Sequence, residues 1–195
     1  MELHCHLAGE EIQIMQELYL ELEDTEWPKE YTDHDRNIVR AIVYDNEGYL
    51  YFMKVQRDDE FGMAELIETS GGGMEEGEDE KTAVLRELSE ELGVNGEVIV
   101  KIGTVSDYYN LIHRHNLNHY YLVHARSFGK THMTADEIDC FHLSALRLTL
   151  AEAEKMYHNA MRFPLGRLIA NRELPVLHHA AEWMKQAGLN LKESD

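Results

Sequence analysis

Cysteine is nearly absent from this chain: Cys5 and Cys140 are the two among 195 residues, too few for a disulfide framework. Proline occurs three times, and no low-complexity linker or internal repeat divides the sequence. No apolar run approaches the roughly 20 residues of a membrane span, so no membrane partner is expected. The opening MELHCHLAGEE lacks the basic and then apolar segments of a secretory signal, and a cytoplasmic location is the expectation. Basic residues are scarce as well: 18 Lys and Arg stand against 37 Asp and Glu, a formal net charge of −19. Partners that present a phosphate backbone require a clustered basic surface, so no nucleic-acid partner is expected. A small polyanion remains compatible with such a chain when metal ions and a few local arginines screen it.

What is present is a substantial apolar fraction, 44%, enough to bury the core of one domain with short appendages. Residues 1–35 read as an N-terminal helical appendage, because Ile14, Leu18 and Leu22 recur at four-residue spacing and Pro28 closes the region. Residues 36–160 read as the main domain. Within it, Arg40 to Tyr44 and Tyr49 to Gln56 flank Asp45-Asn46-Glu47-Gly48 as a β-hairpin. Strands are expected over Glu97 to Val105 and Leu117 to Phe128, with another between Ile138 and Leu148. A helix should open at Thr149, where Thr149 and Glu152 form a capping box. Residues 161–195 read as a C-terminal helical segment packed on the domain, with helices over Leu165 to Asn171 and Leu174 to Gln186 and a stop at Gly188. The fold class is α+β.

Chemistry concentrates between Gly72 and Val94, GGMEEGEDEKTAVLRELSEELGV. From Asp79 onward Val84, Leu85, Leu88 and Leu92 make an apolar helical stripe with no glycine or proline before Gly93. Beside that stripe Glu87, Glu90 and Glu91 fall within a sector of about 100°. Like charges crowded on one helix face cost stability, which hard cations such as Mg²⁺ would relieve; an ordinary solvated acidic face is the bland reading of an isolated E-x-x-E-E. Ahead of the helix, Ser70-Gly71-Gly72-Gly73 follows the apolar Leu66-Ile67. This reads as a strand leaving through a tight glycine turn, open to close approach by a ligand.

The same window resembles the Nudix box, G-x5-E-x7-R-E-U-x-E-E-x-G-U with U aliphatic. Gly72, Glu78, Arg86, Glu87, Leu88, Glu90, Glu91, Gly93 and Val94 meet every specified position. A chance match is about 10⁻⁹ to 10⁻¹⁰ per register at average residue frequencies. The resemblance implies the Nudix fold, a mixed β-sheet sandwiched between α-helices. It implies Mg²⁺-dependent hydrolysis (Mn²⁺ substituting) of the diphosphate bond in a nucleoside diphosphate linked to another moiety, a small-molecule nucleotide substrate. Glu87, Glu90 and Glu91 then match the metal ligands and Glu78 supports the same site. Arg86 matches the arginine that orients the glutamates, and Gly72 and Gly93 shape the flanking loops. The general base in such enzymes is either a box glutamate or an acid on a later loop, where Glu137, beside Asp136, is the candidate.

Substrate choice is less marked. Glu68-Thr69-Ser70-Gly71-Gly72 resembles the E-L-P-A-G stretch of ADP-ribose and nucleotide-sugar hydrolases, with Ser70 in place of proline, and Val55-Gln56-Arg57 resembles their V-x-Q-x-R strand end. Tyr109 stands about where those enzymes carry a proline and is reminiscent of dinucleoside polyphosphate hydrolases. Arg57 and Arg114 are candidates for phosphate or ribose, weighed against a solvated surface role. Tyr108, Tyr109, Tyr120 and Tyr121 are candidates for base stacking, though strand tyrosines more often pack sheets. His113, His115, His119 and His124 fit no standard zinc spacing, and His4-Cys5-His6 is weaker still. A nucleotide-sugar such as ADP-ribose leads as substrate, ahead of nucleoside triphosphates and dinucleoside polyphosphates. A sensing module that binds without cleaving is disfavoured by the complete carboxylate set, and isoprenoid diphosphate isomerisation by the lack of a convincing cysteine and acid pair. Many relatives pair, so a homodimer is the candidate assembly.

Overall fold

A computed structural model describes residues 6–7, 10–11, 15–132 and 143–193. Among the described residues ten strands and three α-helices follow one another as β1 (His6–Leu7), β2 (Glu10–Glu11), β3 (Leu18–Leu22), β4 (His34–Tyr44), β5 (Leu50–Asp59), β6 (Gly62–Glu68), β7 (Ser70–Gly73), α1 (Glu80–Glu91), β8 (Val94–Tyr109), β9 (Arg114–Phe128), β10 (Ser144–Leu148), α2 (Leu150–Ala160) and α3 (Pro164–Gln186). β1 and β2 form a small antiparallel ladder of their own. The other eight strands make one mixed sheet in the order β10-β5-β4-β9-β8-β3, with β6 added to β5 and β7 to β4. β4 runs parallel to β9 and β3 parallel to β8, while the remaining pairs are antiparallel.

The central strand β4 is buried on both sides, which is why its second half, IVRAIVY, is almost unbroken apolar sequence. Val39, Ala41 and Val43 face a cluster with Ala83, Val84 and Leu88 of α1. Ile42 and Tyr44 face the opposite way, into a larger core closed by Tyr157 of α2 and by Leu168, Ile169, Val176 and Leu177 of α3. The sheet is thus covered by α1 on one face and by α2 and α3 on the other. The β4–β5 hairpin forms where expected. Its turn is tied by Asp45 Oδ1, which accepts from the backbone N–H of Glu47 at 2.9 Å and of Tyr49 at 3.1 Å. At Thr149 the capping box is present with both reciprocal bonds.

Three expectations change. Within the segment read as a helix from Glu10 to Glu23, Leu18–Leu22 is a strand. Leu18, Leu20 and Leu22 also alternate at a period of two, and pairing with β8 selects that period. The docking is close enough that a Cβ at Gly103 would lie 2.2 Å from the Leu18 carbonyl oxygen. Ser70 to Gly73 is not a turn but strand β7, hydrogen-bonded to β4 from Ile38 to Ala41, and its glycines allow close approach by β4, since a Cβ at Gly71 would lie 2.0 Å from the Val39 carbonyl oxygen. The two C-terminal helices are one, α3, which runs through Pro175. The expected strand from Ile138 is seen only as β10, and residues 138–142 lie outside the described residues.

Candidate active site

Helix α1 carries the acidic residues, and its ends are fixed locally. Asp79 caps the N-terminus, its Oδ1 accepting from the N–H of Lys81 at 3.0 Å and of Thr82 at 3.2 Å. Gly93, at φ +64°, ends the helix. With Ala83, Val84 and Leu88 turned into the sheet, Glu87, Glu90 and Glu91 emerge on the flank beside β7.

Arg86 sits at the centre of these carboxylates. Its Nε and Nη2 donate to the two oxygens of Glu78 at 3.0 and 2.9 Å. Its Nη1 donates to Glu87 Oε1 at 2.7 Å and to Glu90 Oε2 at 3.3 Å, and Nη2 also reaches the Gly73 carbonyl at 3.1 Å. The planar fork suits this multiple engagement in a way that a lysine would not. The bond to Arg86 holds the Glu78 carboxyl below its ordinary range, and the same carboxylates raise the Arg86 guanidinium.

Glu91 is held differently. Its Oε2 accepts from the Ser70 hydroxyl at 2.6 Å and from the Gly71 N–H at 3.0 Å. Burial nevertheless pushes its pKa up to about 7, the Glu87 charge adds to the rise, and the two hydrogen bonds and Arg40 oppose it. Glu87 is equally buried and lies against Gly72, where a Cβ would stand 2.6 Å from its carboxyl group. Two nearly buried carboxylates, one short of a compensating charge, fit a divalent cation with oxygen ligands. Among the described residues no three His, Cys, Asp or Glu side chains stand ready as a cage, because Arg86 fills the middle of the group.

β7 separates two environments. On its other side a buried polar network fills the sheet face under α3. Arg40 Nε donates to Asn118 Oδ1 at 3.1 Å and Arg40 Nη1 to the Thr69 carbonyl at 3.2 Å. Asn118 Nδ2 donates to Asp107 Oδ1 at 2.8 Å. Arg172 Nη1 donates to Asp107 Oδ2 at 3.2 Å and to the Tyr109 hydroxyl at 2.7 Å, and Arg172 Nε to Glu173 Oε1 at 3.1 Å. Tyr120 donates to the same Glu173 oxygen at 2.9 Å.

Glu78, Arg86, Glu87, Glu90, Glu91 and Gly72 are therefore brought together. Arg57, Tyr109 and Arg114 gather elsewhere, around the Phe61 and Tyr109 rings. Arg57 is ion-paired with Asp59 at 2.5 Å and lies over the Phe61 ring. Tyr109 is buried, its hydroxyl is bonded to Arg172, and burial pushes its pKa up to about 12. Arg114 opens β9 with its guanidinium 5.6 Å from the Tyr109 ring centre. Glu137 lies outside the described residues. The sequence singles out the Ser70-Gly71 stretch but not Arg40, Asn118, Arg172 or Glu173. The available signal was polar residues at core positions of apolar stretches, as with Arg40 inside IVRAIVY.

Residues 34–163 match the NUDIX domain family, a span of more than half the chain. The chain belongs to the Nudix family. Its fold is that of Nudix hydrolases, as in the Nudix hydrolase from Nitrosomonas europaea, with TM-score 0.58 and 16% identity over 81% of this chain and 93% of that one. The MutT Nudix hydrolase from Burkholderia pseudomallei is similar at TM-score 0.50 and 23% identity, over 61% and 86% of the two chains. The E. coli ORF135 protein is similar at TM-score 0.51 and 20% identity, over 78% and 92%. At these identities the likeness is one of fold alone. No curated protein sequence matches this one. Nudix hydrolases are pyrophosphohydrolases of small nucleotides that generally use divalent metals, and this chain is one of that family of enzymes. No described helix is long and apolar enough to cross a membrane.

Proposed function

We propose that this Nudix hydrolase cleaves the diphosphate bond of a nucleoside diphosphate linked to another moiety, in a Mg²⁺-dependent reaction, with a nucleotide-sugar such as ADP-ribose as the leading substrate class. The observation that carries this reading is the gathering of Glu78, Glu87 and Glu90 around Arg86, with Glu87 against Gly72 and Glu91 held beside them by Ser70 and Gly71. Glu87, Glu90 and Glu91 would hold the metal, with Glu78 in support. The bound cation would neutralise the diphosphate and lower the pKa of an attacking water.

The chain's own residues supply position and charge. Arg86 fixes the orientation of three carboxylates at once, so that they need not reorganise when substrate arrives. Ser70 and Gly71 hold the Glu91 carboxylate by two hydrogen bonds. Gly72 leaves the strand without a side chain where the diphosphate would approach. Proton removal from water is assigned to Glu137 or to a box glutamate. Arg114 is the stronger of the two arginines proposed for substrate, since Asp59 already neutralises Arg57.

Incubation with Mg²⁺ and ADP-ribose, other nucleotide-sugars, dinucleoside polyphosphates or nucleoside triphosphates, with products separated by mass spectrometry, tests the reading. Release of a nucleoside monophosphate from one nucleotide-sugar, abolished by Glu90→Gln with Glu91→Gln, is the expected result. Metal-dependent turnover that survives the double substitution would remove the site assignment.

A further inference from the structure

Arg36 and Arg40 of β4, Arg114 of β9 and Arg172 of α3 lie on the α3 side of β7, and their counter-charges are unevenly distributed. Arg172 is matched by Asp107 and Glu173, and Arg40 lies 3.5 Å from Glu68. Arg36 and Arg114 have no carboxylate within ion-pair distance among the described residues. The two are diagonal neighbours on paired strands, since Arg114 pairs with His34 and Arg36 with Asn116; burial, and then the Arg36 and Arg40 charges, lower the Arg114 pKa. The buried Nε of Arg114 has no hydrogen-bond partner.

Between them lies an unusual amide. Asn116 is the cross-strand partner of Arg36 on one side and of Asp107 on the other, and it stands two residues from Arg114 on the same strand face. It is fully buried, yet neither its Oδ1 nor its Nδ2 has a partner. A buried amide left without hydrogen bonds is costly, so an unmet donor beside two unmatched guanidinium groups points to a polar ligand. Asp107 would not repel an anion strongly, because Arg172 and Asn118 already engage it.

The position relates this trio to the carboxylate cluster. Adjacent residues of β7 face the two sides: a Cβ at Gly72 would meet the Glu87 carboxyl at 2.6 Å, and a Cβ at Gly73 would meet Arg36 Nη2 at 2.9 Å. One extended ligand that crosses these two bare residues would touch both groups.

We infer that Arg36, Arg114 and Asn116 form a phosphate subsite, which takes an anionic group of the substrate additional to the two phosphoryl groups of the scissile diphosphate. It rests on the reading above that the carboxylate cluster holds that diphosphate. A substrate whose linked moiety carries a phosphate of its own then makes a contact at this subsite that ADP-ribose does not make. Guanidinium groups give charge-assisted hydrogen bonds to phosphate oxygens, and the Asn116 Nδ2 supplies a further donor.

Two measurements test this. In the first, Arg36→Gln and Arg114→Gln are compared with the unaltered enzyme on ATP and on ADP-ribose. The ratio of KM for ATP to KM for ADP-ribose should rise about tenfold or more in each variant. Arg36 is exposed, so its variant folds even where loss of Arg114 disturbs the sheet. In the second, inorganic phosphate is titrated into metal-free protein and the arginine Nε–H signals are followed by NMR. The Arg114 signal should shift in the unaltered protein and stay fixed in Arg36→Gln. An unchanged KM ratio together with an unmoved Arg114 signal would overturn the subsite. If neither nucleotide is turned over, the proposed function fails, and the phosphate titration alone decides the subsite.

Discussion

The Ser70 hydroxyl donates to Glu91 Oε2 at 2.6 Å, tying strand β7 to the last turn of α1 through a carboxylate whose pKa burial has raised to about 7. Because the folded-state value lies above the ordinary carboxyl value of 4.5, folding favours the protonated carboxyl in metal-free protein. Its contribution is present in full below about pH 4.5 and is lost as pH rises through about 7. The expected loss is about 1 to 3 kcal/mol. Thermal unfolding of metal-free protein at pH 5 and pH 8 should show a larger fall in Tm for the unaltered chain than for Glu91→Gln. Mg²⁺ at pH 8 should restore Tm in the former more than in the latter. Equal pH slopes in the two proteins would remove Glu91 as the responsible group.

Arg86 reaches Glu78, Glu87, Glu90 and the Gly73 carbonyl through one guanidinium. A lysine keeps the charge but offers a single ammonium where four acceptors are spread around a plane. Arg86→Lys should therefore reduce kcat/KM by about 10- to 100-fold, the cost usual for removing a group that orients metal ligands. Its Mg²⁺ requirement should shift to higher concentration. Full activity at the original Mg²⁺ concentration would show that the carboxylates orient themselves.

These relationships differ in how far the sequence discloses them. Asp79 capping α1, the Asp45 turn and the Thr149–Glu152 box are settled within four residues of chain, where side-chain chemistry acts on its own backbone. The Arg86 pairs likewise lie within one helix and the loop before it. The leucines of Leu18 to Leu22 satisfy periods of two and of four at once, and only the distant β8 decides between them. Ser70 to Gly73 reads as a turn because glycine carries no strand preference of its own; pairing with β4 supplies it. The polar network under α3 joins Arg40 to Asn118 across 78 residues and Asp107 to Arg172 across 65, separations at which no local pattern exists.

Gly72 offers a test of geometry with little change in chemistry. It pairs with Val39 in β7, and an added Cβ would meet the Glu87 carboxyl at 2.6 Å. The obstructed group is the end of a flexible side chain, so Gly72→Ala should fold and Glu87 should swing aside. Loss of most activity with Tm changed by only a few degrees is the expected outcome, read by turnover and thermal unfolding on the same sample. Wild-type turnover in this variant would mean that the Glu87 position is not critical.

The largest stability effect should come from α3 rather than from the box. Arg172 and Glu173 are fully buried, and Arg172 is the residue through which Asp107, Tyr109 and Glu173 are joined. Replacing it with methionine preserves most of the volume but leaves the Asp107 and Glu173 carboxylates in the interior without their main cation. Breaking one side of a buried ion pair costs about 3–5 kcal/mol, whereas exchanging both sides for apolar groups of similar size is often close to neutral. Arg172→Met should therefore lower stability by about that amount in denaturant unfolding. Adding Asp107→Asn and Glu173→Gln should recover part of it, since neutral amides no longer need the cation. A triple variant as unstable as the single one would show that Arg172 contributes through packing of its stem rather than through its charge.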